Sequence, residues 1–167
     1  MGATLGNVRI SSSSPTGVVT YNSGANYVYN GVVAQATGTG LPATINTLRI
    51  NNVTNAVTLT AIVGITSTTN SLILQAGTLD LNNKQLTIPV GGTVASTGGD
   101  FTATAGPIFF LGTGTVSGTV NFPTVTIAGG VVFGAGSNIV TSLQINSGGF
   151  VNTTAPTYGA SSTLIYN

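Results

Sequence analysis

Phe101-Thr102-Ala103-Thr104-Ala105, Gly112-Thr113-Gly114-Thr115-Val116 and Pro123-Thr124-Val125-Thr126-Ile127 follow one another at an even spacing, and their alternation decides the fold. A residue pattern with a period of two puts successive side chains on opposite faces of an extended strand. Three copies in register predict coils stacked on one another, each short strand pairing with its equivalent one coil later. The same alternation recurs upstream at Leu48-Arg49-Ile50, Val57-Thr58-Leu59-Thr60, Leu72-Ile73-Leu74, Leu79-Asp80-Leu81 and Leu86-Thr87-Ile88. Between these runs lie the pairs Asn51-Asn52, Ala76-Gly77, Asn82-Asn83 and Gly91-Gly92, residue types that favour turns. Helix signals are missing: Glu is absent, Lys occurs once and Gly is spread through the chain. The expected fold is therefore all-β, a parallel β-solenoid (β-helix) of short strands. An antiparallel β-sandwich is the alternative that the turn spacing also permits.

Two longer repetitions extend the reading. Ser71-Leu72-Ile73-Leu74 returns loosely as Ser142-Leu143-Gln144-Ile145, which suggests two related halves. Tyr27-Val28-Tyr29-Asn30 resembles Leu164-Ile165-Tyr166-Asn167. Residues 1–167 then form a single all-β repeat unit in which the terminal segment 158–167 restarts the pattern of 21–30. Such a unit continues into a neighbour, as one period of an array or as a subunit that donates or exchanges its terminal strand.

Composition bounds the function. Only 3% of residues are charged while 41% are apolar, with a formal net charge of +1. A chain so apolar and so weakly self-repelling folds or aggregates rather than staying disordered, and self-association is its default. The net charge gives no footprint for nucleic acid, an acidic lipid surface or a polyanionic substrate. Polar Thr, Ser, Asn or Gly interrupts every apolar stretch within a few positions, so no membrane-inserted helix is expected. The start lacks the basic and apolar regions of a secretory leader, which implies that a leader has been removed or that the chain is a piece of a longer one.

Chemistry-bearing residues are few. There is no Cys, no His and no Glu, which leaves Asp80 and Asp100 as the sole carboxylates. General acid–base work normally needs a pair of carboxylates or a histidine, so no catalytic residue, metal site or cofactor is expected and the chain is read as not an enzyme. Arg9 and Arg49, each mid-triplet between apolar residues, read as charges that blunt sheet edges. Asn52-Val53-Thr54 and Asn152-Thr153-Thr154 match the N-glycosylation triplet, a weak signal in a chain rich in Asn and Thr.

Two surfaces are nominated. Tyr21, Tyr27, Tyr29, Thr163, Leu164, Ile165 and Tyr166 gather towards the two ends and are read as self-association residues, since Tyr favours interfaces. Thr102, Thr104, Thr113, Thr115, Thr124 and Thr126 are the alternative, a flat threonine array spaced about 4.7 Å between strands that would order water as an ice-binding face.

Asn-rich turns alternating with stretches such as Leu79-Asp80-Leu81-Asn82-Asn83-Lys84-Gln85-Leu86-Thr87-Ile88 resemble the repeat regions of large secreted bacterial surface proteins, over Tyr21 to Asn167. Filamentous haemagglutinin and autotransporter passengers are of this kind. The resemblance implies an elongated β-solenoid acting as an adhesin, stalk or surface fibre on the bacterial cell surface. The function expected is thus an extracellular structural or adhesive module that associates end to end with copies of itself or with adjacent repeats by strand-edge pairing. Ice binding is the alternative, and any glycan or surface ligand is left open.

Overall fold

A computed structural model describes residues 7–10, 22–103 and 106–167. Its strands run parallel in two sheets and stack as a β-solenoid of about seven turns, so the solenoid expectation holds and the antiparallel sandwich does not. The first sheet follows β1 (Asn7–Ile10), β2 (Asn26–Tyr29), β5 (Thr47–Thr58), β7 (Leu72–Asp80), β9 (Gly92–Ser96), β12 (Gly114–Ser117), β14 (Gly130–Val132) and β16 (Phe150–Val151). Beside this path, β3 (Gln35–Ala36) pairs with the end of β5, and β10 (Asp100–Phe101) with the end of β7. The second sheet holds β4 (Thr44–Ile45), β6 (Val63–Ile65), β8 (Leu86–Ile88), β11 (Pro107–Phe110), β13 (Asn121–Ile127) and β15 (Asn138–Ile145). It ends with β17 (Thr157–Tyr158) and β18 (Thr163–Tyr166), both on β15.

Alternation within each strand builds the core. In β2 the burial runs half-buried, buried, half-buried, buried, and Tyr27 and Tyr29 point inward. Register carries this inward row from coil to coil: Tyr27 pairs with Leu48, Leu48 with Leu72, Leu72 with Val94, and Val94 with Val116. In the second sheet, Val63, Leu86, Ile108, Val125 and Leu143 form the equivalent row, all essentially inaccessible. Each such buried aliphatic side chain contributes about 1.5–3 kcal/mol relative to exposure. Phe101, Phe122 and Phe133 add an aromatic run, with ring centroids 5.6 Å apart in the first pair and 5.8 Å in the second.

Register also gives the coil length, as the step in sequence from a residue to its partner. The steps from Tyr27 to Leu48 and from Leu48 to Leu72 are long, and that from Ile108 to Val125 is shorter. The spacing of the threonine triplets is only a fraction of any of these. Thr115 sits in the first sheet between Thr93 and Val132. Thr124 and Thr126 sit in the second, the former between Pro107 and Ser142, the latter between Phe109 and Gln144. Ser71 immediately precedes β7 of the first sheet whereas Ser142 lies in the second, and Tyr27 and Leu164 likewise fall in different sheets. These repetitions thus reflect the inward–outward alternation that any strand here needs, and segment 158–167 occupies a different place in the coil from the strand β2 that it echoes.

Two predicted turns lie inside strands. Asn51-Asn52 and Ala76-Gly77 belong to β5 and β7, which are long because the chain absorbs its bend as a register shift between Asn51 and Ala56. Gly77 makes this possible, at φ +74 and with no room for a Cβ against the Asn52 carbonyl oxygen. Asn82-Asn83 is a turn as expected, with both residues at positive φ (47 and 58) that Asn tolerates.

Candidate functional site

The side chains on the last coil continue the inward rows of the coils before it. Leu164 pairs with Leu143, Tyr166 with Ile145, Tyr158 with Ile139, and Val151 with Val131. Leu143 and Ile139 are fully buried, yet Leu164 is 42% exposed, Tyr158 44% and Tyr166 72%. Phe150, at 53%, lies over Gly130, whose missing side chain leaves room for the ring. The apolar chemistry of the rows continues into this last coil, and there its side chains are exposed.

Backbone groups tell the same story. Among the described residues, β16, β17 and β18 pair on one side only, each with the coil before it. Sheet edges are commonly blunted by charged side chains that deter another strand. No Lys, Arg, Asp or Glu follows Asp100, so no charged side chain stands on this edge. The Tyr158 hydroxyl has its pKa raised above 10.0, first by partial burial and then by the neighbouring Tyr166 phenol, so the two rings share one patch. The surface offers an apolar cross-section, two phenols and a row of unpaired peptide groups, the chemistry that receives another β-coil.

Four of the seven nominated self-association residues, Thr163, Leu164, Ile165 and Tyr166, come together here as β18. Tyr27 and Tyr29 do not join them, because both rings are buried in the core with β1 paired alongside. Tyr21 lies outside the described residues. Tyr158, which gathers with the other tyrosines towards the chain ends in the sequence, lies on this coil beside Tyr166, whereas sequence reasoning missed Phe150, whose partner Gly130 would have marked it once the coil period was known.

The threonine surface does not assemble among the described residues. Thr113 and Thr115 are exposed and Thr102, Thr124 and Thr126 half-buried, but the pairs occupy different sheets and stack on Pro107, Phe109 and Val132 rather than on one another. Thr104 lies outside the described residues. A polar ladder does exist elsewhere: Asn26 pairs with Thr47, Ser71 exchanges backbone-to-hydroxyl bonds with Thr93, and Thr93 pairs with Thr115. Its members recur at the coil period, not at the spacing of the threonine triplets.

Both carboxylates tie neighbouring coils together. Asp100 Oδ1 accepts from the backbone N–H groups of Phe101 and Asn121, each at 2.8 Å, and Oδ2 accepts from Asn121 Nδ2. Asp80 Oδ1 accepts from Asn82 N at 2.9 Å and from the Thr102 hydroxyl at 3.3 Å. Asn52, the acceptor of one glycosylation triplet, is fully buried and donates to the Val33 carbonyl and to Gln35 Oε1, so that triplet is closed to modification. Arg49 is no edge charge, since β5 lies between β2 and β7, whereas Arg9 is on β1, the outermost described strand of its sheet. A scan against protein-family models finds no match, and searches among curated proteins and solved structures find none either.

Proposed function

We propose that the chain is an extracellular structural or adhesive module of a bacterial surface fibre or stalk, and that it works by end-to-end stacking. The last coil receives the first coil of a second copy, whose β1, the outermost described strand of the first sheet, extends that ladder by parallel pairing. The observation that carries this reading is the exposure of Leu164, Tyr158 and Phe150 on rows that are closed in the coils before them, with Tyr166 alongside. Covering them removes apolar area from water and satisfies the peptide groups of β16 to β18 at once. A net charge of +1 opposes this stacking little, and a 3% charge content favours a fibre component over a freely soluble tip.

Negative-stain electron microscopy of the intact chain, beside a version ending before Ser161, tests the proposal. Filaments or short axial stacks that disappear on truncation are expected. Single particles from the intact chain at high concentration would sink it, as would stacks that survive the truncation.

A further inference from the structure

Net charge conceals how the few charges are placed. Arg9 is in register with Val28, and Val28 with Arg49, so both arginines occupy one row of the first sheet, two rungs or about 9.5 Å apart. The carboxylates are elsewhere: Asp80 and Asp100 pair along the ends of β5 and β7, at Thr58 and Thr78. Around Arg49 the surface of β2, β5 and β7 sinks into a groove of about 510 Å³.

Its lining is uniform in kind. Asn46, Asn51 and Asn70 supply amides, Ser67 and Thr69 hydroxyls, and Arg49 is the one charged group. The Arg49 guanidinium is held from one side, where Nε and Nη2 both donate to Gln75 Oε1, the first at 2.7 Å. Gln75 is neutral, so it orients the guanidinium without cancelling its charge, and three of the five N–H donors stay available. Val28 and Ile73 flank Arg49 on adjacent rungs and provide short apolar steps. Asn30, also in the lining, has a buried Oδ1 with no hydrogen-bond partner.

We propose that this groove binds a carboxylate-bearing saccharide, two or three rings of an oligouronate. Amides and hydroxyls that both donate and accept suit sugar hydroxyls. The aliphatic steps suit the C–H faces of the rings, and the pre-oriented guanidinium selects for a carboxylate by charge-assisted bonding. A peptide would call for deeper apolar pockets than this lining supplies. The site lies on the flank of the solenoid, so it is independent of end-to-end stacking and stays open in a stacked fibre.

Isothermal titration of the intact chain with trigalacturonate, against its methyl ester as the uncharged match, reads the proposal directly. Saturable binding of the acid is expected, with the ester and the Arg49→Gln variant each weaker by about tenfold or more. Asn70→Asp keeps Arg49 and its Gln75 partner and suits the positive φ of that position, so it guards against simple misfolding, and it is expected to weaken the acid more than the ester. Amide chemical-shift changes should map to β2, β5 and β7. No saturable heat, equal binding of acid and ester, unchanged affinity in both variants, or shifts confined to the last coil would each overturn it.

Discussion

Leu143 and Leu164 occupy the same row one coil apart, and one is wholly buried while the other is 42% exposed. The residue type is the same and both lie in parallel strands. Burial in a solenoid is a property of the next coil, so the interior and the end of such a molecule are the same material in two states. Stability therefore belongs to the interior, and the end is the part left for the association proposed above.

That contrast breaks most visibly with aromatic truncation. Phe122→Ala, which removes the middle ring of the Phe101–Phe122–Phe133 run, should cost about 3–5 kcal/mol, whereas Phe150→Ala should cost under about 1 kcal/mol in dilute, unstacked protein. Urea unfolding of both variants makes the check, and a Phe150→Ala loss as large as that at Phe122 would mean that the end is not open. Backbone positions sharpen it further. Gly77→Ala forces a Cβ into the Asn52 and Asn55 carbonyl oxygens at positive φ, for about 2–4 kcal/mol, while Gly159→Ala meets nothing closer than the Val140 carbonyl oxygen at 3.2 Å and should cost under about 1 kcal/mol. Thermal unfolding of the pair decides between these outcomes.

A smaller effect follows from the phenols. The pKa of Tyr158 is raised in the folded chain, so the folded state holds this proton more tightly than the unfolded one. Its contribution is complete below the ordinary value of 10.0 and is lost as pH rises beyond it. Stacking buries the ring further, so sedimentation should show stacks shortening above about pH 10, and Tyr158→Phe should remove part of that dependence.

Much of this architecture was legible in the residues. Leu48-Arg49-Ile50, Leu72-Ile73-Leu74 and Leu86-Thr87-Ile88 alternate as drawn from composition and period, and they are strands of the stacked rungs. The coil length was not legible, because the conspicuous even spacing of the threonine pairs is a fraction of a coil whose own length varies along the chain. Any strand with one face inward repeats with a period of two, and that local rule drowns the longer one. Tyr27 and Tyr29 read as interface residues on the general habit of tyrosine, yet their alternation with Asn26 and Val28 already placed them on one face together. Arg49 read as an edge charge, since a triplet alone does not reveal how many strands lie on each side. The β18 residues were nominated because they echo Tyr27 to Asn30, an echo that joins different places in the coil, while Phe150 needed the register.

Hydrogen–deuterium exchange over residues 157–167, followed across a dilution series of the intact chain, tests the stacking most directly. The account predicts that protection of β17 and β18 rises with concentration towards that of β13 and β15, as another coil closes over them. Exchange in this segment that stays fast and independent of concentration, with the interior unchanged, would contradict it.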